Sequence, residues 1–367
     1  MSHALVQDQR NPPGRRGKSH PHCLGRGSFR VARGSFTASA TTFAWRIGAA
    51  VFHEACVSGR RLRVSAPTDI VPDSEHRSLL SYLPQRARDL IQLARFDRPI
   101  GVWLLYWPGA WAIALSGNAI ARWDLLLWFL LGATVMRGAG CVFNDIVDRD
   151  LDQKVARTRE RPVASGRVSL TLAWAWLISL CLVGLLVLVQ LNLTAAIIAL
   201  CSLAPVAAYP FMKRITWWPQ AWLGLVFSWA CLVGWPAASG RIDPTMIWLY
   251  AGSICWVIGY DTIYALQDIE DDALAGVKSS ARALGDRAKG GVTIFYAIAL
   301  FLWGVAIWRV RPEALALAAL LPVAGHLLWQ VAGLKREDGK DALMRFRSNR
   351  FAGLLMFLAC LVVGSAG

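Results

Sequence analysis

Nine long apolar segments fill the chain after residue 98, separated by short polar stretches. Pro99–Gly117 carries no charge, and Leu125–Asn144 carries only Arg137. Val168–Met212 runs without a single acid or base. A helix needs about 20 apolar residues to cross a bilayer, so this run is too long for one span. It reads as two helices that turn near Gln190–Asn192. Trp217–Gly240, Thr245–Tyr260, Val292–Trp308, Ala314–Leu334 and Phe351–Gly367 complete the set. The sixth helix is expected to continue into Asp261–Gln267. The predicted fold is all-α, a polytopic membrane bundle of about nine transmembrane helices.

Composition agrees with this pattern. The chain is 55% hydrophobic and 17% charged, where a soluble domain carries about 25% charge. Residues 99–367 read as the membrane domain. Residues 67–98 read as a linker with an amphipathic interfacial stretch, Leu79–Phe96. Residues 1–66 are different in kind. They hold ten Arg and Lys18 against Asp8 and Glu54, which is most of the net charge of +15. No nucleic-acid-binding motif accompanies that charge, so no nucleic-acid partner is expected. An Arg- and Ser-rich, acid-poor leader without an apolar core reads as an organellar transit peptide, mitochondrial ahead of plastid. The alternative is a basic tail with no address. The eight cysteines form no CxxC pair and read as small apolar side chains.

Basic residues set the orientation. Loops after the even-numbered spans hold 18 Lys and Arg, and loops after the odd-numbered spans hold 4. The even loops and the N-terminus therefore face the positive side. In a mitochondrial inner membrane that side is the matrix.

Two acidic clusters leave the membrane on that side. The first is Asn144-Asp145-Ile146-Val147-Asp148-Arg149-Asp150-Leu151-Asp152. In a helix Asn144, Asp148 and Asp152 fall within about 80° of one another. Arg137 lies on the same face two turns deeper, where a charge usually marks a functional cavity. The second cluster runs from Asp261 through Tyr264 and Asp268 to Asp271 and Asp272. Asp261, Tyr264, Asp268 and Asp272 again share one helical face. Carboxylates four residues apart repel unless a cation lies between them. Carboxylate and amide oxygens suit Mg²⁺, which bridges such groups to phosphate oxygens. Arg157, Lys213, Arg214 and Lys278 follow the clusters on the same side and fit a diphosphate. Either cluster alone would read as solvated loop acids; the two together, in register and on one side, point to a magnesium–diphosphate.

At these residues the chain resembles the UbiA-type intramembrane aromatic prenyltransferases. Their NDxxDxxxD motif is met by Asn144, Asp145, Asp148 and Asp152. Their DxxYAxxDxxDD motif is met by Asp261, Tyr264, Ala265, Asp268, Asp271 and Asp272. Arg98-Pro99-Ile100-Gly101, Met136 to Cys141, Arg161-Pro162, Tyr209-Pro210 with Lys213-Arg214, and Gly276 with Lys278-Ser279 are most similar to the branch acting on 4-hydroxybenzoate in ubiquinone synthesis.

The resemblance implies helices around a central cavity, a polyprenyl diphosphate donor and 4-hydroxybenzoate as acceptor. It also admits association in a ubiquinone-biosynthesis complex. The metal would be held by Asn144, Asp145, Asp148 and Asp152 on one wall and Asp268, Asp271 and Asp272 on the other. Asp148, Asp268 and Tyr264 would be catalytic. Tyr264 or an aspartate of the second cluster would shield the allylic cation or accept the ring proton. Arg137 is expected to hold the acceptor carboxylate, with Asp261 nearby. Other acceptors (homogentisate, a naphthoate or haem) define the competing enzyme reading. A cation transporter is disfavoured, because the acids sit at span ends.

Overall fold

The computed structural model describes residues 80–154, 158–269 and 278–365, apart from the side chains of Lys213, Arg214 and Asp268. Among them there are helices and no strands. A short helix, α1 (Gln85–Leu93), precedes nine apolar ones. These are α2 (Ile100–Leu115), α3 (Trp123–Val147), α4 (Leu170–Leu188), α5 (Leu193–Met212), α6 (Pro219–Ser239), α7 (Thr245–Ala265), α8 (Ser280–Val310), α9 (Ala314–Ala332) and α10 (Gly339–Ser365). Eight are long enough to cross a membrane; α2, with 16 residues, is the shorter one.

Local chemistry sets the helix ends. Pro99, Pro219 and Pro244 stand at helix starts, where a missing N–H costs nothing. The Ser169 hydroxyl accepts from the Leu172 N–H at 3.2 Å, and Asn192 Oδ1 accepts from Ala195 N–H at 3.0 Å. Gly240, at φ 73°, closes α6 in the left-handed conformation.

α2 lies at the centre, against α3, α6 and α10. Trp111 on α2 is fully buried, and its Nε1 donates to the Gly353 carbonyl of α10 at 2.8 Å. Its ring meets Trp256 of α7 at 5.0 Å and Trp303 of α8 at 5.2 Å. Aromatic side chains of this size fit between helices only where the partner is small. Gly353 provides the room: a Cβ there would collide with the Trp107 ring. α4 and α5 form the outer side, with Leu182, Leu186, Ile197 and Leu200 exposed, as lipid-facing helices require.

Two differences from the hydropathy pattern matter for the site. α10 begins at Gly339, twelve residues before the apolar run. Its polar first turns are held by Arg345, whose Nε donates to Asp341 at 2.7 Å and whose Nη1 donates to the Trp329 and Gln330 carbonyls at 2.8 and 3.0 Å. One guanidinium thus caps the end of α9 and pins α10 to it. α1 also docks rather than only lying at an interface: Asp89, Gln92 and Leu93 are buried, and it packs on α3.

A second internal tie is polar. Asn349 on α10 is fully buried. Its Oδ1 accepts from Trp256 Nε1 at 2.9 Å and from Gln330 Nε2 at 3.2 Å, and the Tyr296 hydroxyl donates to Gln330 Oε1 at 2.7 Å. Four helices meet in this network. Leaving the Trp256 and Gln330 groups unpaired costs about 1–3 kcal/mol each. Asn349→Ala is expected to lower the melting temperature of the detergent-solubilised protein by several degrees; an unchanged melting temperature would show the network to be dispensable.

Candidate active site

A cavity of ≈ 1690 Å³ opens between α2, α3, α4, α5, α6, α7 and the start of α10. It has a polar end and an apolar limb. Leu177, Ile178, Cys181, Leu182 and Leu185 of α4 and Leu200, Leu203 and Val206 of α5 line the limb. Ile178, Leu182, Leu185, Leu200 and Leu203 are also exposed.

The first wall of the polar end comes from the C-terminus of α3. Asn144, Asp148 and Asp152 all line the cavity. The helix formally ends at Val147, with Asp148 as cap and a short helix Arg149–Asp152 beyond it. The register survives the break, because Asp148 N–H donates to Asn144 O at 2.9 Å and Asp152 N–H to Asp148 O at 2.8 Å. The stripe expected from helical spacing is therefore present. Asn144 Oδ1 is buried without a hydrogen-bond partner. Burial pushes the Asp152 carboxyl above the usual carboxylate range, with Asp145 and Asp148 acting in the same direction and Arg161 opposing.

Asp145 is placed differently from its neighbours. It is buried and does not line the cavity. Its Oδ1 accepts from Arg95 Nη2 at 2.7 Å and Arg161 Nη1 at 3.2 Å. The same Arg161 nitrogen donates to Asp152 Oδ2 at 2.7 Å. Both guanidiniums line the cavity, so Asp145 anchors two cations on its rim.

Arg95 gives no signal in the sequence. It follows α1 at the position where a helix commonly ends on a left-handed glycine. Arg95 N–H donates to Gln92 O at 3.1 Å and Phe96 N–H to Ile91 O at 3.0 Å, the hydrogen bonds of a Schellman turn. Arg95 has φ 57°, the sole positive φ at a non-glycine among the described residues. That conformation costs roughly 1–2 kcal/mol. The ion pair to the buried Asp145 carboxylate opposes that cost.

Arg137 lies deeper on α3. Its guanidinium hydrogen-bonds Cys141 Sγ and stands 5.7 Å from the centre of the Phe227 ring, while its Nε is buried and unpartnered. Gly101 of α2 leaves the space for it: a Cβ there would lie 2.6 Å from Nε.

The second wall is α7, whose Tyr260, Asp261 and Tyr264 line the cavity, with Gln267 of the short helix that follows it. The Tyr264 ring packs on Phe346 at 4.6 Å. Asp268 lies at the end of the short helix Leu266–Asp268, while Asp271 and Asp272 fall outside the described residues. Arg157 also falls outside them, and Lys213 and Arg214 close the backbone of the helix that starts as α5. Lys278 lines the cavity, donates to Ile215 O at 3.3 Å and stands 5.9 Å over the Trp217 ring. A third wall was not foreseen: Glu337 to Lys340, Leu343, Phe346 and Arg347 at the start of α10. Among the described residues no three His, Cys, Asp or Glu side chains could by themselves hold a metal.

Apolar helices, with α2 to α7 and the start of α10 around a cavity that has charged and apolar walls, define a membrane enzyme for amphiphilic substrates. The chain belongs to the UbiA prenyltransferase family, whose model matches residues 105–361. It is 43% identical to "4-hydroxybenzoate polyprenyltransferase, mitochondrial" of Drosophila pseudoobscura pseudoobscura, over 82% of this chain and 75% of that protein. The apo structure of a UbiA homolog from Aeropyrum pernix superposes with TM-score 0.59 at 26% identity, covering 71% of this chain and 97% of the other. A UbiA homolog from Archaeoglobus fulgidus bound to GPP and Mg²⁺ gives TM-score 0.56 at 17% identity, covering 76% and 99%, a likeness of fold.

The anchor at Asp145 sets two effects against each other. Arg95→Gly relieves the backbone strain but strips one guanidinium from a buried carboxylate, a loss of about 3–5 kcal/mol when a buried pair is broken outright. Because Arg161 remains, a net destabilisation of about 1–3 kcal/mol is expected. Thermal unfolding checks the sign; a stabilised variant would show that the strain dominates.

Proposed function

We infer that this prenyltransferase moves an all-trans polyprenyl group from polyprenyl diphosphate to C3 of 4-hydroxybenzoate, releasing diphosphate, as a step of ubiquinone biosynthesis. The observation that carries the reading is the junction, in one cavity, of oxygen donors, basic side chains and an apolar limb. The choice of acceptor is supported by the relatives, which are named for it at up to 43% identity.

The donor set fits Mg²⁺. Asn144 offers a buried, unpaired amide oxygen, and Asp148 and Asp152 stand on the same wall. Asn144, Asp148 and Asp152 would hold the metal on one side, and Asp268, Asp271 and Asp272 on the other. We assign Asp145 to holding Arg95 and Arg161 instead. When bound, magnesium supplies neutralising charge to the departing diphosphate.

The remaining chemistry belongs to the chain. Arg157, Lys213, Arg214 and Lys278 receive phosphate oxygens. The allylic C–O bond breaks with its electron pair on the diphosphate. The ring carbon beside the phenol then bonds the allylic carbon, and its proton passes to a base. Tyr264, on the cavity wall, shields the cation with its ring, or an aspartate of the second cluster takes the proton. Arg137 holds the acceptor carboxylate, with Asp261 beside the ring. The low dielectric of the site strengthens each of these fields.

We place the enzyme in the mitochondrial inner membrane with the acidic clusters facing the matrix, residues 1–66 acting as transit peptide. A biosynthetic complex of ubiquinone enzymes is the natural partner set.

Membranes holding the full chain are expected to label 3-polyprenyl-4-hydroxybenzoate from 4-hydroxybenzoate and a polyprenyl diphosphate. Chelation should stop this and Mg²⁺ restore it. Asp148→Ala or Asp268→Ala should abolish it with the protein still membrane-inserted; activity within threefold of wild type would sink the metal assignment. Arg137→Lys, which loses the planar fork, and Gly101→Ala, which displaces it, should each raise KM for 4-hydroxybenzoate about tenfold and leave that of the donor unchanged. Equal changes in both KM values would count against the carboxylate role.

A further inference from the structure

Buried polar atoms without partners are costly, about 1–3 kcal/mol each, so a natural protein retains few of them without a use. Among the described residues only three such side-chain atoms belong to residues that line the cavity: Asn144 Oδ1, Arg137 Nε and the Tyr260 hydroxyl. The first faces the metal chemistry and the second the acceptor. The third has no role in the reading above.

Tyr260 is 1% exposed. Its ring is held edge-on against Trp256 at 4.9 Å and Phe346 at 5.8 Å. Asp261, Tyr296, Arg137 and Tyr209 lie in its electrostatic neighbourhood. Depth agrees. α3 and α7 run the same way through the bundle. Arg137 lies seven residues before Asn144, about 10 Å along the helix, and Tyr260 lies eight before Asp268, about 12 Å. Arg137 and Tyr260 therefore stand comparable distances from the ends of their own helices, and both line the cavity.

The acceptor has its carboxylate and its phenol at opposite ends of the ring. C3 is beside the phenol, so that end must meet the allylic carbon near the acidic clusters. The carboxylate then points to the deeper level. It has two oxygens, and Arg137 and Tyr260 offer a guanidinium and a hydroxyl. Resting on the acceptor reading above, we propose that the Tyr260 hydroxyl donates a hydrogen bond to the acceptor carboxylate and is a second determinant of specificity for an aromatic acid.

Tyr260→Phe removes the hydroxyl and keeps the ring packing. In the full-length protein with polyprenyl diphosphate and Mg²⁺, KM for 4-hydroxybenzoate should rise about tenfold, the usual range for a hydrogen bond to a charged group. KM for the donor should stay within twofold. In the detergent-purified protein without donor, the concentration of 4-hydroxybenzoate giving half-maximal thermal stabilisation should rise by the same factor. The melting temperature without ligand should not fall, because an unpaired hydroxyl is being removed. An acceptor KM within twofold of wild type overturns the proposal, as does a fall in melting temperature with KM unmoved, which marks a structural hydroxyl. Wild-type protein that fails to prenylate 4-hydroxybenzoate removes the acceptor reading and this proposal together, whereas an active wild type with an unaffected variant removes the proposal alone.

Discussion

The buried carboxylate of Asp145, held between Arg95 and Arg161, is the interaction on which the polar end depends. α3 supplies the acidic stripe and, two turns deeper, Arg137. Its end must therefore be fixed in both rotation and depth. Asp145 does this by tying α3 to the segment after α1 and to the loop after the first cluster. A charge at 2% exposure is tolerable only because two cations meet it, and those cations are then left on the cavity rim. The backbone strain at Arg95 is the local cost of that arrangement.

The spans were legible because lipid demands long apolar helices, and a hydropathy pattern reports that demand directly. The acidic stripe was legible because Asn144, Asp148 and Asp152 keep helical register even across the break at Asp148. What escaped has one physical origin. Arg95, Tyr260 and the start of α10 act through tertiary placement, and none has a periodic or compositional signature. Arg95 sits at a helix end where the chain pattern favours glycine. Tyr260 looks like one more aromatic in an apolar span. The polar turns of α10 lie outside its apolar run and become helix only because Arg345 secures them. Asp145 shows the converse: its motif groups it with the metal ligands, and its contacts in the fold are Arg95 and Arg161.

The interior divides labour between two kinds of contact. Small residues such as Gly353 and Gly101 let an indole or a guanidinium approach a neighbouring helix. Polar residues such as Asn349 and Gln330 then specify which helices meet. Neither kind suffices alone: close packing of apolar helices in lipid lacks the hydrophobic drive that soluble cores enjoy.

The apolar limb, finally, is lined by leucine, isoleucine and valine side chains, several of them exposed. Walls of this kind make no hydrogen bond, so they tell hydrocarbons apart by fit alone. On the proposed reading a donor would be selected at its diphosphate, and its tail accepted for being apolar.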